Sequence, residues 1–227
     1  MGATGLLYVG AVLFLNGVMI LGRVDAKAAA IFNLFVGGLQ VITPLFLIFT
    51  AGSTPDPFAT VLGSAGIFLF GFTYLYVGIT LLGGFDSTGV GWFSLFVAGA
   101  AAWFSFANFK ILDDKTFGVI WIYWAYLWFL FFLLLGLKLD GLTAYTGWVT
   151  AIEGIVTGFV PAMLLLTGYW PPVGNWSQNT IAITLGAVGV GVALLLIPLT
   201  RPRLGPARPR QPVEPVPAAG EPVPGRT

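Results

Sequence analysis

Residues 116–137 read TFGVIWIYWAYLWFLFFLLLGL, 22 consecutive positions without a charged side chain. At about 1.5 Å per residue, a helix of that length crosses the hydrocarbon core of a bilayer, about 30 Å thick. Six more apolar runs flank it, at 4–21, 28–49, 59–82, 91–109, 145–169 and 180–199. The breaks at 23–27, 54–57, 83–86, 110–115, 138–141 and 171–178 are short, and each carries Asp, Gly or Pro. The pattern predicts an all-α integral membrane protein of about seven transmembrane helices.

Composition agrees. Of 227 residues, 57% are hydrophobic and only 8% charged, and the mean hydropathy is +0.92. A soluble domain carries roughly 25% charged residues, so lipid has to be part of this chain's solvent. The net charge is +1, and no basic groove for a nucleic-acid backbone is expected. Cysteine is absent, which excludes disulfides, thiol catalysis and thiolate-bound metals. Histidine is absent too, removing the commonest general base and metal ligand and with it ordinary haem ligation. No lysine lies within a run to carry a retinal Schiff base, and no phosphate-binding Gly-x-x-x-x-Gly-Lys-Ser/Thr loop occurs. The chain is read as a non-enzyme with neither cofactor nor metal.

Topology follows from lysine and arginine. An outside N-terminus puts Arg23, Lys27, Lys138 and the arginines beyond residue 200 on the cytoplasmic side. Only Lys110 and Lys115 then lie outside, beside Asp113 and Asp114. The first run lacks a basic leader and is read as a retained helix. From residue 201 onward, arginines alternate with prolines and then Pro, Glu and Ala recur. Such a segment has little to bury and is expected to be a disordered cytoplasmic tail, acting as a tether or topology signal. A weak internal repeat also shows: LFVGG at 34–38 echoes LFVAG at 95–99, and YLY at 74–76 echoes YLW at 126–128. A shift of two spans preserves direction, as in a parallel repeat about the membrane normal.

Polar residues at membrane depth mark candidate sites. Glu153 is the one acid well inside a run, where an ionised side chain costs at least about 2.5 to 3.5 kcal/mol. Either its carboxyl bonds to a neighbouring helix or it faces a wet pore. Asn16, near the middle of the first run, carries both amide donors and an acceptor. It suits either a planar solute with NH2 and C=O groups or helix–helix adhesion. Trp121, Trp124 and Trp128 recur at i, i+3 and i+7 on one helical face, away from the interfaces where tryptophan usually sits. Phe72 and Tyr76, at i and i+4, flank the middle of the third run. These stripes either pack on one another or wall a flat slot for planar solutes.

Several ordered blocks then carry a resemblance. They are LYVG at 7–10 with Asn16-Gly17, NLFVGGL at 33–39, LFGFTYLY at 69–76, SLFVA at 94–98, LDD at 112–114, residues 120–128, and IEGI at 152–155 with Pro161-Ala162. Over residues 6 to about 169 the chain resembles the AmiS/UreI family of bacterial urea channels and amide transporters. The resemblance implies six helices per protomer, each protomer with its own pore, assembled as a hexamer in the urea channel. It implies constrictions at Phe72, Tyr76, Trp124 and Trp128, neighbouring pore positions at Trp121 and Leu127, first-helix lining at Leu6, Leu13 and Asn16, and a pore carboxylate at Glu153.

Two departures stand out. The acid-gated urea channel uses histidines in its outer loops, and this chain has none. The run at 180–199 is an addition to the six-helix plan. The expected organisation is therefore a pore bundle over 1–170, an additional helix over 171–200, and a tail over 201–227. The expected function is passive conduction, without acid gating, of urea, acetamide or formamide across the inner membrane, with a cytosolic amidase or urease as metabolic partner. The rival readings are a proton-coupled amide transporter using Glu153 and a non-transporting structural or sensory protein.

Overall fold

The structure is a computed structural model and describes residues 2–170 and 176–202. Seven helices are long and apolar enough to cross a membrane: α1 (Gly2–Ile20), α2 (Ala26–Ser53), α3 (Pro57–Gly83), α4 (Thr88–Lys110), α5 (Lys115–Gly136), α6 (Asp140–Leu166) and α7 (Gln178–Thr200). The described residues contain no strand. Positions 171–175 of the last predicted break, and the tail beyond 202, lie outside the described residues.

Loop chemistry sets the helix ends. Asp25, Asp56, Asp114 and Ser177 sit at helix N-termini and accept backbone N–H groups there, satisfying donors that have no partner inside the helix. Gly84 closes α3 in the left-handed conformation that lacks a Cβ penalty. Gly168, also left-handed, stops α6 at Leu166, three residues short of the apolar run.

Six helices close a ring in chain order: α1 packs on α2, α2 on α3, α3 on α4, α4 on α5, α5 on α6, and α6 back on α1. α7 stands outside that ring against α5 and α6. Glycine makes the α1–α6 seam. A Cβ on Gly10 would lie 2.7 Å from the Gly154 carbonyl oxygen, and one on Gly17 equally close to that of Gly147. Without those carbons the backbones approach to direct contact, which is how helices associate where water gives no hydrophobic drive. α6 widens to a π-helix over Gly154–Phe159 and α5 does so over Phe132–Gly136. Each wide turn carries glycines packed on a partner helix, Gly154 and Gly158 on α1 and Gly136 on Gly91 of α4.

Polar pairs tie the ring. Asn16 and Asn33 exchange reciprocal amide bonds of 2.9 and 2.7 Å between α1 and α2. Gln40 donates to the Gly5 carbonyl at 2.7 Å, and Ser105 of α4 to that of Gly118 on α5 at 2.8 Å. Lys138 and Asp86 pair at 3.0 Å, so the α3–α4 and α5–α6 turns share one side. On the opposite side Trp170 donates to Asp114 at 3.3 Å. The matched stretches 34–37 and 95–98 share a burial pattern, the first residue half-buried, the second exposed and the last two buried. The 74–76 and 126–128 matches do not share a burial pattern.

Candidate functional site: two chambers and an aromatic barrier

The ring encloses two chambers, one toward each face. The first, about 330 Å3, is lined by Leu6, Val9, Gln40, Ser64, Asn108 and Trp121 among others. The second, about 120 Å3, is lined by Leu13, Asn16, Thr73, Tyr74, Ser94, Leu127 and Trp128 among others. Phe70 and Trp124 border both chambers. Their rings meet edge to face with centroids 4.7 Å apart, and Trp128 and Trp121 close in on Phe70 at 4.8 and 5.9 Å. Rings this close are in van der Waals contact, so the chambers are separated by a closed aromatic barrier.

The barrier is oriented from behind. Trp124 Nε1 donates to Thr157 Oγ1 of α6 at 2.9 Å, and Thr157 in turn donates to the Glu153 carbonyl at 2.7 Å. Trp121 stacks on Phe104 of α4 with centroids 4.8 Å apart. The indoles are held from two sides and face Phe70 of α3.

Seven of the ten residues singled out from sequence border the chambers: Leu6 and Trp121 the first, Leu13, Asn16, Leu127 and Trp128 the second, and Trp124 both, while Glu153, Phe72 and Tyr76 lie elsewhere. Asn16 serves both of its readings, since it bonds Asn33 and still borders the chamber. Phe72 and Tyr76 are a correction. They are 51% and 41% exposed on the outer surface of the ring, Phe72 stacking on Phe68 at 5.7 Å and Tyr76 lying 6.3 Å from Phe93 of α4. The inward pair is Phe70 and Tyr74, 5% and 3% exposed. The third run holds two aromatic pairs at i, i+4, offset by two residues, and two residues turn a helix by about 200°. The glycines distinguish them: Gly71 and Gly78 pack on α2, and Tyr74 falls between them on that buried side.

Glu153 is the second correction. It is 3% exposed, but it lines neither chamber; it borders a third cavity between α5, α6 and α7. Thr73, Ser94, Ser64, Gln40 and Asn108 add polar groups to the chambers, and they carry no sequence signal because small hydroxyl and amide side chains in an apolar run look like ordinary helix filler. Among the described residues no group of acidic side chains is placed to hold a metal.

Comparison with known proteins agrees with this architecture. The chain is 48% identical over 195 residues to the putative transporter protein AmiS2 of Rhodococcus erythropolis, covering 86% of this chain and 90% of that protein. It is 44% identical to a putative amidate substrates transporter protein of Mycolicibacterium smegmatis, covering 91% and 93%. Alignments that long have to reach into α7. The acid-activated urea channel of Helicobacter pylori is 38% identical, covering 73% of this chain and 97% of the channel. The cryo-electron microscopy structure of that channel in its closed state superposes with a TM-score of 0.67 at 36% identity, covering 75% of this chain and all of the other. The model of the AmiS/UreI family of transporters matches residues 1–169, and with relatives this similar over nearly their whole length, the chain belongs to that family.

Proposed function

We propose that the protein is a passive conduit for urea and short aliphatic amides, acetamide and formamide foremost, and that the solute crosses between the two chambers at the Phe70–Trp124 barrier. One observation carries this reading: among the described residues, no charged side chain lines either chamber. An ion would have to leave its hydration shell without a replacement, which is prohibitive in a dry pore. A neutral planar solute needs only ring faces and a few amide or hydroxyl partners, and Asn16, Gln40, Thr73, Ser94 and Asn108 supply them.

The names of the relatives support the solute class, since one is a urea channel and another a transporter of amidate substrates. Against the proton-coupled alternative stands the position of Glu153, which lines neither chamber. The reading includes the inner membrane, an outside N-terminus, a hexameric ring and a cytosolic amidase or urease that consumes the solute. It assigns the conduit to residues 1–170, an accessory helix to 171–200 and a cytoplasmic tail to 201–227.

Stopped-flow light scattering of proteoliposomes tests it. Urea and acetamide should enter down their own gradients faster than into empty liposomes, and glycerol should not. Uptake that requires an imposed proton gradient would replace the passive mechanism by a coupled one.

A further inference from the structure

The third cavity lies off the central axis, between α5, α6 and α7. It measures about 550 Å3, within the range of cavities that hold small organic ligands. Its lips are apolar and face outward: Ile122, Val190 and Leu194 are exposed at mid-span, where the surroundings are lipid. α7, which forms one wall, packs Leu185, Val192 and Leu196 on the bundle and is pinned to α5. Gly189 leaves room for the Tyr123 ring, and Tyr123 Oη donates to the Leu185 carbonyl at 2.6 Å.

The phenols of this cleft have spent their protons. Tyr123 spends its proton on Leu185. Tyr145 donates to the Ala193 carbonyl at 3.2 Å, so Tyr126, 2.6 Å from the Tyr145 oxygen, donates to that oxygen. With the phenolic protons committed, the cleft offers hydroxyl lone pairs and the Glu153 carboxyl, which in its neutral form accepts at one oxygen and donates from the other. Glu153 Oε2 is buried without a hydrogen-bond partner, and no cation lines the cavity. A buried polar oxygen left unmet costs about 1 to 3 kcal/mol, so a ligand that donates to it recovers that energy.

We infer that this cleft is a second binding site, open to the bilayer, for uncharged primary amides with an apolar chain or ring. The NH2 group offers two donors, one for the Glu153 carboxyl and one for a tyrosine oxygen, while the apolar part lies along α7. A carboxylate would bring only acceptors and a charge, and a hydrocarbon would leave Glu153 unmet. The choice of amides rests on the proposed function; the need for a donor does not.

The test is equilibrium binding of radiolabelled hexanamide to the full-length protein in phosphatidylcholine nanodiscs. One saturable site per protomer is expected, competed by unlabelled hexanamide but not by N,N-dimethylhexanamide, which has no N–H. Val190→Trp, filling the cleft from its exposed lip, and Glu153→Leu, removing the acceptor, should each weaken binding by about tenfold, the loss expected for one hydrogen bond or its steric equivalent. Urea uptake by Val190→Trp should stay at the wild-type rate, which reports its fold. Equal competition by the dimethyl compound, or undiminished binding in both variants, would overturn the site. Hexanamide binding without urea uptake would sink the conduit and leave the cleft standing; uptake without saturable binding would do the reverse.

Discussion

Trp124 Nε1 and Thr157 Oγ1 meet at 2.9 Å across the α5–α6 seam, and this bond sets the plane of the indole that borders both chambers. Thr157 is fully buried in the ring wall and its own proton goes to the Glu153 carbonyl, so its lone pairs are what hold Trp124. The barrier residue is therefore fixed by a helix that contributes no ring to the barrier.

Replacing that hydroxyl by a methyl tests the arrangement. Thr157→Val keeps the shape and strands a buried indole N–H, at a cost of about 1 to 3 kcal/mol. The expected result is a lower unfolding temperature together with a changed ratio of urea to acetamide permeability in proteoliposomes. A loss of stability with an unchanged ratio would mean that the Trp124 plane does not set selectivity.

Phe70 and Phe72 are two residues apart and should behave oppositely. Phe70→Ala removes the ring that closes the barrier, so glycerol should begin to pass, with a stability loss of about 3 kcal/mol for the deleted core ring. Phe72→Ala alters an outward ring and should leave monomer permeability within about twofold, a change worth no more than about 0.4 kcal/mol. Stopped-flow rates of the two variants decide it; matching defects would return Phe72 to the pore.

The Asn16–Asn33 pair predicts non-additivity. Either single change to Ala strands the partner amide, while the double change removes both needs. Interhelical polar pairs in membranes are worth about 0.6 kcal/mol on average and up to about 2. The double variant should lose less stability than the two singles together, measured by a double-mutant cycle in detergent unfolding.

Flux should be flat between pH 5 and 7.5. Asp86, in the α3–α4 turn, is held down to about 2 from its ordinary 3.8 by hydrogen bonds from Thr88 and then by Lys138. A depressed carboxyl value adds stability that is complete above 3.8 and fades as pH falls toward 2. That window lies below the working range, and the chain has no histidine to titrate within it. Parallel uptake traces at the two pH values are expected; steep activation by acid would expose another titrating group.

Gly189→Val drives a side chain into the Tyr123 ring and should displace α7 without touching either chamber. The expected outcome is a stability loss of about 1 to 3 kcal/mol from overpacking, with urea uptake unaltered. Lost uptake in a folded variant would show that α7 supports the conduit directly.

The sequence by itself determined the number of spans, their ends and the fold class. Span length is set by bilayer thickness and helix rise, and the ends by capping Asp, Ser and Gly, all of which are local properties. It also marked the tryptophan stripe, because three large rings at i, i+3 and i+7 share a face wherever the helix lies. Which face of α3 turns inward was decided only by tertiary structure. A helix that is apolar all round has no polar side to mark solvent, because lipid and protein interior demand the same residues. The difference between Phe70 and Phe72 therefore came from the glycine contacts of α3 with α2. Glu153 is the same case: its depth was legible along the chain, but whether it meets the central chambers or the α7 cleft depended on how α5, α6 and α7 pack around it.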